Sequence, residues 1–343
     1  MITVNELFSG IGAQRAALER AGIEHRVVGI SEIDKYAIKS YEAIYGETRN
    51  YGDISKVDKL DYADFWTYSF PCTDISVAGQ QKGIVKGETR SGLLYEVQRL
   101  LEVAVHTHTQ PKWLMLENVK NLVGKKFRAQ FDEWCEWLDG IGYNTYWQVL
   151  NAKDYGVPQN RERVFAVSVR KDIDGGNFRF PEKVPLDVRL EDILEGEVDK
   201  KFYLSEAQLQ SMTMSSYRQE RNAIQNEVCC TLAARDYKGA KCVVVANLNH
   251  YGNDQMNRVY STDGISPTIT AVSGGGREQK IQLHSSRVRR LTPLEYWRLM
   301  GFTDEAFRKA EAVCSNSQLY KQAGNSIVVD VLVEIFKNLF RED

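Results

Sequence analysis

The run SFPCTDIS sets Cys72 directly after Pro71 and Phe70, and of the six cysteines in the chain this one alone has an unusual setting. A thiolate at such a turn could attack an electron-poor carbon, although free cysteine is more often a small buried hydrophobe. In MLENVKNL an apolar run ends on Glu117 and Asn118, polar groups that must be paired or face a cleft. In QNRERVF, Arg161 and Arg163 alternate. An extended segment directs both guanidinium groups to one face, toward a ligand or into a salt-bridged edge. Nearer the amino end, the loop Ser9, Gly10, Ile11, Gly12 can bring backbone amides and a helix N-terminus close to a ligand. It lacks the full GxGxxG pattern, which argues against a nicotinamide dehydrogenase. Glu32 and Asp53 stand at later strand ends, placed for a ribose and a nucleoside amine, or else simply solvated turn carboxylates.

The elements that must position these groups alternate. ITVNELF reads as a strand, and AQRAALERAG as a helix with Gly22 at its carboxyl end. HRVVGISE is a second strand, DKYAIKSYEAIYG a helix closing at Gly46, and DYADFWTYSF a third strand. A helical stretch near Leu93 to Val105 leads to the strand KWLMLENV, and YNTYWQVLN and RVFAVSVR read as closing strands. This order implies an α/β fold with a doubly wound, mostly parallel sheet, whose carboxyl rim holds the ligand sites. Cys72 and Glu117 open on that rim. From about Gly175 to His284 the texture changes to short β-like runs, and helical periodicity returns in LTPLEYWRLMGF and SIVVDVLVEIFKNLF. Two segments there, CCTLAARDYKGAKCVVV and SPTITAVSGGGREQKIQL, share a pattern that two similar hairpins or chance would each explain. The expected division is a catalytic and cofactor-binding domain over 1–174, a smaller β-rich domain over 175–315, and a terminal helical segment over 316–343.

The formal charge is −2 and the isoelectric point about 6.3, so a nucleic-acid partner would have to meet a local basic cleft and not a global field. The amino end lacks a basic segment followed by a long apolar one, and no stretch approaches about 18 uninterrupted apolar residues. The expectation is a soluble cytoplasmic protein with no membrane segment. The cysteines form no CxxC pair, which argues against a zinc site or a disulfide framework, and no metal is expected.

In order along the chain, ELFSGIG, SEIDKY, GDIS, FPCTDIS, RSGLLYE, ENVKNL, PQNRERVF, RRLTPLEYWRLMGF and QAGNSIVVDVL resemble the cytosine-5 DNA methyltransferase family, of type II restriction-modification or phage kind. The ordered set is highly specific, and only Gly175 to His284 falls outside it, where the family places its variable target-recognition region. The resemblance implies a Rossmann-like methyltransferase fold and S-adenosyl-L-methionine as cofactor. Phe8 would stack on the adenine, and Ser9, Gly10, Ile11 and Gly12 would form the loop beneath it. Glu32 would meet the ribose, with Ile33 beside it, and Asp53, with Ile54, the adenine amine. Pro71 and Leu93 would complete the wall, while Asn325 and Ser326 would close the methionine side, bringing the last helix back onto the first domain. Cys72 matches the nucleophile, Glu117 the acid at N3 of cytosine, and Arg163 with Arg161 the cations near O2. Phe70, Pro71, Asn118 and Gln159 would line the base side.

The implied reaction adds Cys72 to C6 of a flipped cytosine, so that C5 can accept a methyl group. The implied partner is double-stranded DNA, with a cognate restriction endonuclease acting separately and the enzyme itself a monomer. In the loop GQQKGIVKGETRSG, Lys82 and Lys86 could meet phosphates, or remain solvated. Arg235, Lys238, Lys241, Arg277 and Lys280 lie near turns suited to entering a major groove, or serve as surface charge. Two departures stand out: Thr73 follows Cys72 where Gln is usual, and Glu6 stands where Asp is commoner. Rival readings are an RNA cytosine-5 methyltransferase of the same architecture, which the long second domain argues against, and a non-catalytic DNA-binding relative. Amine-directed methylation is disfavoured by the absence of a Pro-Pro-aromatic loop.

Overall fold

The computed structural model describes residues 1–72, 74–75, 82–205, 213–214, 244–248, 257–271, 278–283 and 288–341, with backbone alone at 213–214 and 244–247. Strand β1 (Ile2–Leu7) runs through the glycine loop into helix α1 (Ala13–Arg20) and on to β2 (His25–Ser31). Helix α2 (Lys35–Tyr45) starts at Asp34, whose carboxylate accepts from the Tyr36 and Ala37 amides, and stops at Gly46. Then follow β3 (Phe65–Tyr68), α3 (Leu94–His106), β4 (Trp113–Val119), α4 (Arg128–Gly140), β5 (Tyr143–Asn151), β6 (Gln159–Asn160) and β7 (Glu162–Arg170).

The main sheet has the order β2-β1-β3-β4-β7-β5. Its pairs are parallel except at β7, which runs antiparallel to both β4 and β5. The link from β5 to β7 is too short for a crossover helix, so the chain reverses. Side-chain alternation feeds two cores, one on each face. Phe65, Met115, Phe165 and Val167 face one side with α1, whereas Trp66, Leu114, Leu116, Val164 and Ala166 face the other with residues of α3 and α4. The sheet is thus covered on both sides, as the alternating sequence pattern requires. Its carboxyl rim, where β1, β3 and β4 end, remains for chemistry.

A second sheet has the order β13-β12-β10-β9-β8, built from β8 (Thr213–Met214), β9 (Val244–Asn247), β10 (Arg258–Ser261), β12 (Lys280–Gln282) and β13 (Val288–Arg290). Strand β11 (Ser266–Pro267) pairs with β6 and ties this region to the first. Most of the apparent internal repeat lies outside the described residues. Lys280 is buried within this sheet, its ammonium donating to the Glu278 carbonyl at 2.9 Å, so it does not form the groove-entering arm that its place in the sequence suggested.

Four helices follow: α5 (Pro293–Arg298), α6 (Asp304–Glu311), α7 (Asn316–Asn325) and α8 (Val329–Leu339). Helix α6 packs on α2 and α8 on α1. The Phe336 ring meets Phe65 edge-on with centroids 5.5 Å apart, and Arg20 pairs with Asp330 at 2.6 Å. The last helix therefore closes one face of the main sheet. Among the described residues, no helix is long and apolar enough to cross a membrane.

Where the small sheet joins α5, Arg289 forms a fully buried fork with Glu295, with contacts of 2.7 and 2.6 Å. Glu295 also accepts from the Thr292 and Glu195 amides, so one carboxylate fastens three segments. Arg289→Met would strand that carboxylate away from water. The expected loss is about 3–5 kcal/mol of unfolding free energy in a denaturant titration, with much of it restored in Arg289→Met/Glu295→Leu.

Candidate active site

The glycine loop leaves β1 with an unusual backbone. Phe8 has φ of +57°, a left-handed conformation that costs a non-glycine residue roughly 1–3 kcal/mol, and its amide is held by the Ser31 carbonyl at 2.8 Å. Such strain turns the Phe8 ring toward the rim. Gly12 caps α1 at φ +78°, and a Cβ there would lie 2.5 Å from the Tyr45 ring and 2.8 Å from that of Tyr41. The loop thus needs glycine at that point to sit against α2.

Glu32, beyond the end of β2, reaches across the loop. Its carboxylate accepts from the Gly10 amide at 2.9 Å and from the Ile33 and Asp34 amides at 2.8 Å. Asp53 caps the short turn Ile54–Lys56 through Ser55, and those hydrogen bonds hold its carboxyl below the usual range. Ile33 is 67% exposed, an apolar side chain on the pocket wall, whereas Ile54 on the same wall is buried. From the far end of the chain, Lys321 pairs with Asp34 at 2.6 Å and brings α7 to the same place.

Beyond β3, the turn carrying the thiol is tied down from three directions. The Asn118 side-chain amide donates to the Phe70 carbonyl at 3.0 Å, and the Ser91 hydroxyl to the Pro71 carbonyl at 2.7 Å. The Ile75 amide closes the turn onto the Cys72 carbonyl at 3.1 Å, and Asn121 donates to the Ile75 carbonyl. The Ser91 amide in turn donates to Asp74 at 3.1 Å. Sequence reading gave Ser91, Asn121 and Asp74 no role, because each acts through partners distant along the chain.

Glu117 and Arg163 meet diagonally across the antiparallel pair β4/β7, where Val119 faces Arg163 and Glu117 faces Phe165. Arg163 Nε stands 3.4 Å from Glu117 Oε1. Burial pushes the Glu117 carboxyl up, opposed by Arg163 and Arg161. Burial also pushes the Cys72 thiol up, helped by the Glu117 charge and opposed by the same two arginines. Arg161 has another duty. It donates to the carbonyls of Ile269, Gly324 and Ser326 at 3.1, 3.2 and 2.8 Å, locking the AGNS segment against the second region. Burial lowers its pKa to about 9, which leaves it cationic at neutral pH. At Gly324 a Cβ would stand 2.2 Å from the Ala271 amide nitrogen, so only glycine permits this approach.

One cavity of about 570 Å³ unites these groups. Phe8, Ser9, Gly10, Ile11, Glu32, Ile33, Asp53, Ile54, Leu93, Asn325 and Ser326 line it, together with Phe70, Pro71, Cys72, Glu117, Asn118, Arg161 and Arg163. Gln159 stands apart, buried and donating to the Leu299 carbonyl at 2.7 Å while accepting from the Ile269 amide. Lys82 is exposed and outside the cavity lining. Arg235, Lys238 and Arg277 lie outside the described residues.

The family model for C-5 cytosine-specific DNA methylase matches residues 2–341. This chain belongs to that family. Type II methyltransferase M2.ScrFI of Lactococcus lactis subsp. cremoris is 36% identical, with 99% of each chain covered. Orphan methyltransferase M.SPBetaI of Bacillus phage SPbeta is 33% identical, over 98% of this methylase and 97% of the relative. Among solved structures, the S. pombe Dnmt2 methyltransferase shares the fold with a TM-score of 0.67 at 20% identity, covering 98% of this chain and 97% of its own. In the methylase the motif residues of the glycine loop and those of the thiol turn, scattered along the sequence, thus converge on one cleft.

Proposed function

We propose that this methylase moves the methyl group of S-adenosyl-L-methionine to C5 of a cytosine turned out of duplex DNA, through a bond between Cys72 and C6. The observation behind it is one cavity in which the glycine-loop wall and the Cys72, Glu117 and Arg163 cluster are contiguous. The wall fits that cofactor: Phe8 and Ile33 offer apolar surface that would suit a flat ring, Glu32 and Asp53 would accept hydroxyl or amine hydrogens, and the buried Ser9 hydroxyl lacks a protein partner. When bound, the cofactor supplies an electrophilic methyl on a sulfonium.

The chain's own groups do the rest. Arg163 and Arg161 stabilise the thiolate of Cys72, which adds to C6 and pushes electron density toward N3 and C5. Glu117, whose carboxyl burial pushes up, donates at N3 when it carries the proton, so that C5 becomes an enamine carbon able to accept the methyl group. Loss of the C5 proton to solvent water then expels the Cys72 thiolate, and N3 returns its proton to Glu117. Turning the base out costs a few kcal/mol, offset by phosphate contacts for which Lys82 and Lys86 are exposed near the thiol turn. We place target recognition in the small sheet and its loops, from about residue 175 to 291, and count α5 and α6 with the catalytic body on which they pack.

Base-resolution methylation sequencing of DNA from cells expressing the protein is expected to show 5-methylcytosine at one recurrent sequence. A flat map from soluble protein that binds the cofactor would overturn the reading.

A further inference from the structure

Behind the glycine loop lies a carboxylate that the mechanism does not use. Glu6, on β1, is fully buried, and its Oε2 accepts from the Tyr41 hydroxyl at 2.5 Å while Oε1 has no partner. Helix α1 begins at Gly12 without any side-chain cap or acidic residue in its first turn. The Glu6 carboxylate lies toward the Arg15 amide of that first turn, so its charge favours the helix start from the strand side. From α1 it is also faced by the Arg15 guanidinium and, farther off, by Glu19; from α2 by Tyr41 and Tyr45. Its register neighbours, Ile30 of β2 and Thr67 of β3, are uncharged.

The same cluster clamps the loop. The Tyr45 hydroxyl donates to the Gly12 carbonyl at 2.8 Å, and the Arg15 guanidinium lies 4.6 Å from the Tyr45 ring centroid and 5.9 Å from that of Tyr41. Helix α2 carries Glu32, Ile33 and Asp34 at its amino end, and the loop carries Phe8 to Ile11, all on the cavity wall. One carboxylate therefore joins β1, α1 and α2, the three elements that shape this side of the pocket.

We propose that Glu6 is a positioning residue for the cofactor pocket, its carboxylate charge holding α1 and α2 against β1 and so setting how tightly the cofactor is held. The proposal rests on the cofactor reading above. When ionised, Glu6 attracts the Arg15 amide and guanidinium and the Tyr41 hydroxyl, drawing both helices onto β1 and pre-ordering the loop; when protonated it loses that charge-assisted hold. Burial pushes the carboxyl up to about 7, so both forms are populated in the neutral range. Aspartate would hold its charge further from Tyr41, so the longer Glu side chain suits this contact.

The test is calorimetric binding of S-adenosylhomocysteine, without DNA, between pH 6 and 8. Wild type is expected to bind about five- to tenfold more tightly at the upper end, with a midpoint near the Glu6 ionisation. Glu6→Gln should bind at the weak, acidic level throughout, with no step. Tyr41→Phe, which removes only a hydroxyl that stabilises the carboxylate, should keep the step and move its midpoint upward. A flat wild-type profile, a step retained in Glu6→Gln, or an unmoved midpoint in Tyr41→Phe overturns the proposal, and the last decides even if Glu6→Gln does not fold. Failure of wild type to bind the probe at any pH would instead overturn the cofactor reading, and this inference with it.

Discussion

Cys72→Ser is expected to lower single-turnover methyl transfer by about four orders of magnitude or more while leaving S-adenosylhomocysteine affinity within about twofold. The reason is chemical. A hydroxyl in the same half-buried turn is far harder to ionise than a thiol, and without addition at C6 the ring offers no enamine carbon to the methyl donor. The turn itself is held by Asn118, Ser91 and Asn121 through backbone carbonyls, so the substitution leaves its scaffold in place. Labelled-methyl transfer in one turnover, with calorimetry alongside, checks both halves of the expectation.

Glu117→Gln is expected to slow the same step by about 10²–10⁴-fold, again without weakening cofactor binding. The shape of the pH profile carries more information than the magnitude. Both groups are raised by burial, the thiol from the higher starting point, so between their two pKa values the pair holds one proton in total. That proton can sit on sulfur or on Glu117, and the reactive arrangement carries it on Glu117. Acid below the Glu117 pKa protonates both and removes the thiolate; alkali above the Cys72 pKa strips both and removes the acid. Wild-type kcat/KM should therefore pass through a plateau bounded on both sides. In Glu117→Gln the alkaline fall should vanish, and the rate should rise with a single ionisation lying lower than in wild type, because the Glu117 charge that opposes the thiolate is gone. A profile unchanged in shape would remove Glu117 from its assigned role.

The sheet and its rim were legible because local patterning and tertiary burial agree there. Phe65 and Trp66 alternate between two cores just as an interior strand demands, and the glycines of SGIG stand where only left-handed backbone fits. Cys72 and Glu117 could be placed from strand ends alone. Arg161 could not. The alternation with Arg163 suggests one face of an extended segment, but Arg161 lies in the join between β6 and β7, its amide donating to the Gln159 carbonyl and to Asn151, and its guanidinium lines the cavity while donating to three carbonyls. Gln159 likewise serves packing, through partners more than a hundred residues away that no local pattern encodes.

Glu6 shows the same limit from the other side. In the sequence it is merely an acid in an apolar run, noticeable as a departure from aspartate. Its burial, its bond to Tyr41 and its place at an uncapped helix start all depend on α2 folding back across β1. Lys280 too looked like a surface charge near a glycine turn, and register with β10 and β13 drew it inside.

Methyl transfer by this route depends on reversible bonding between one sulfur and a pyrimidine, and an oligonucleotide duplex carrying 5-fluorocytosine at the methylated position tests this most directly. Fluorine at C5 cannot leave as a proton does, so the adduct should persist in denaturing electrophoresis. Mass spectrometry of the digested complex should place the nucleotide on the peptide containing Cys72. Absence of a trapped complex under conditions where the unmodified duplex is methylated, or attachment at any other residue, would contradict it.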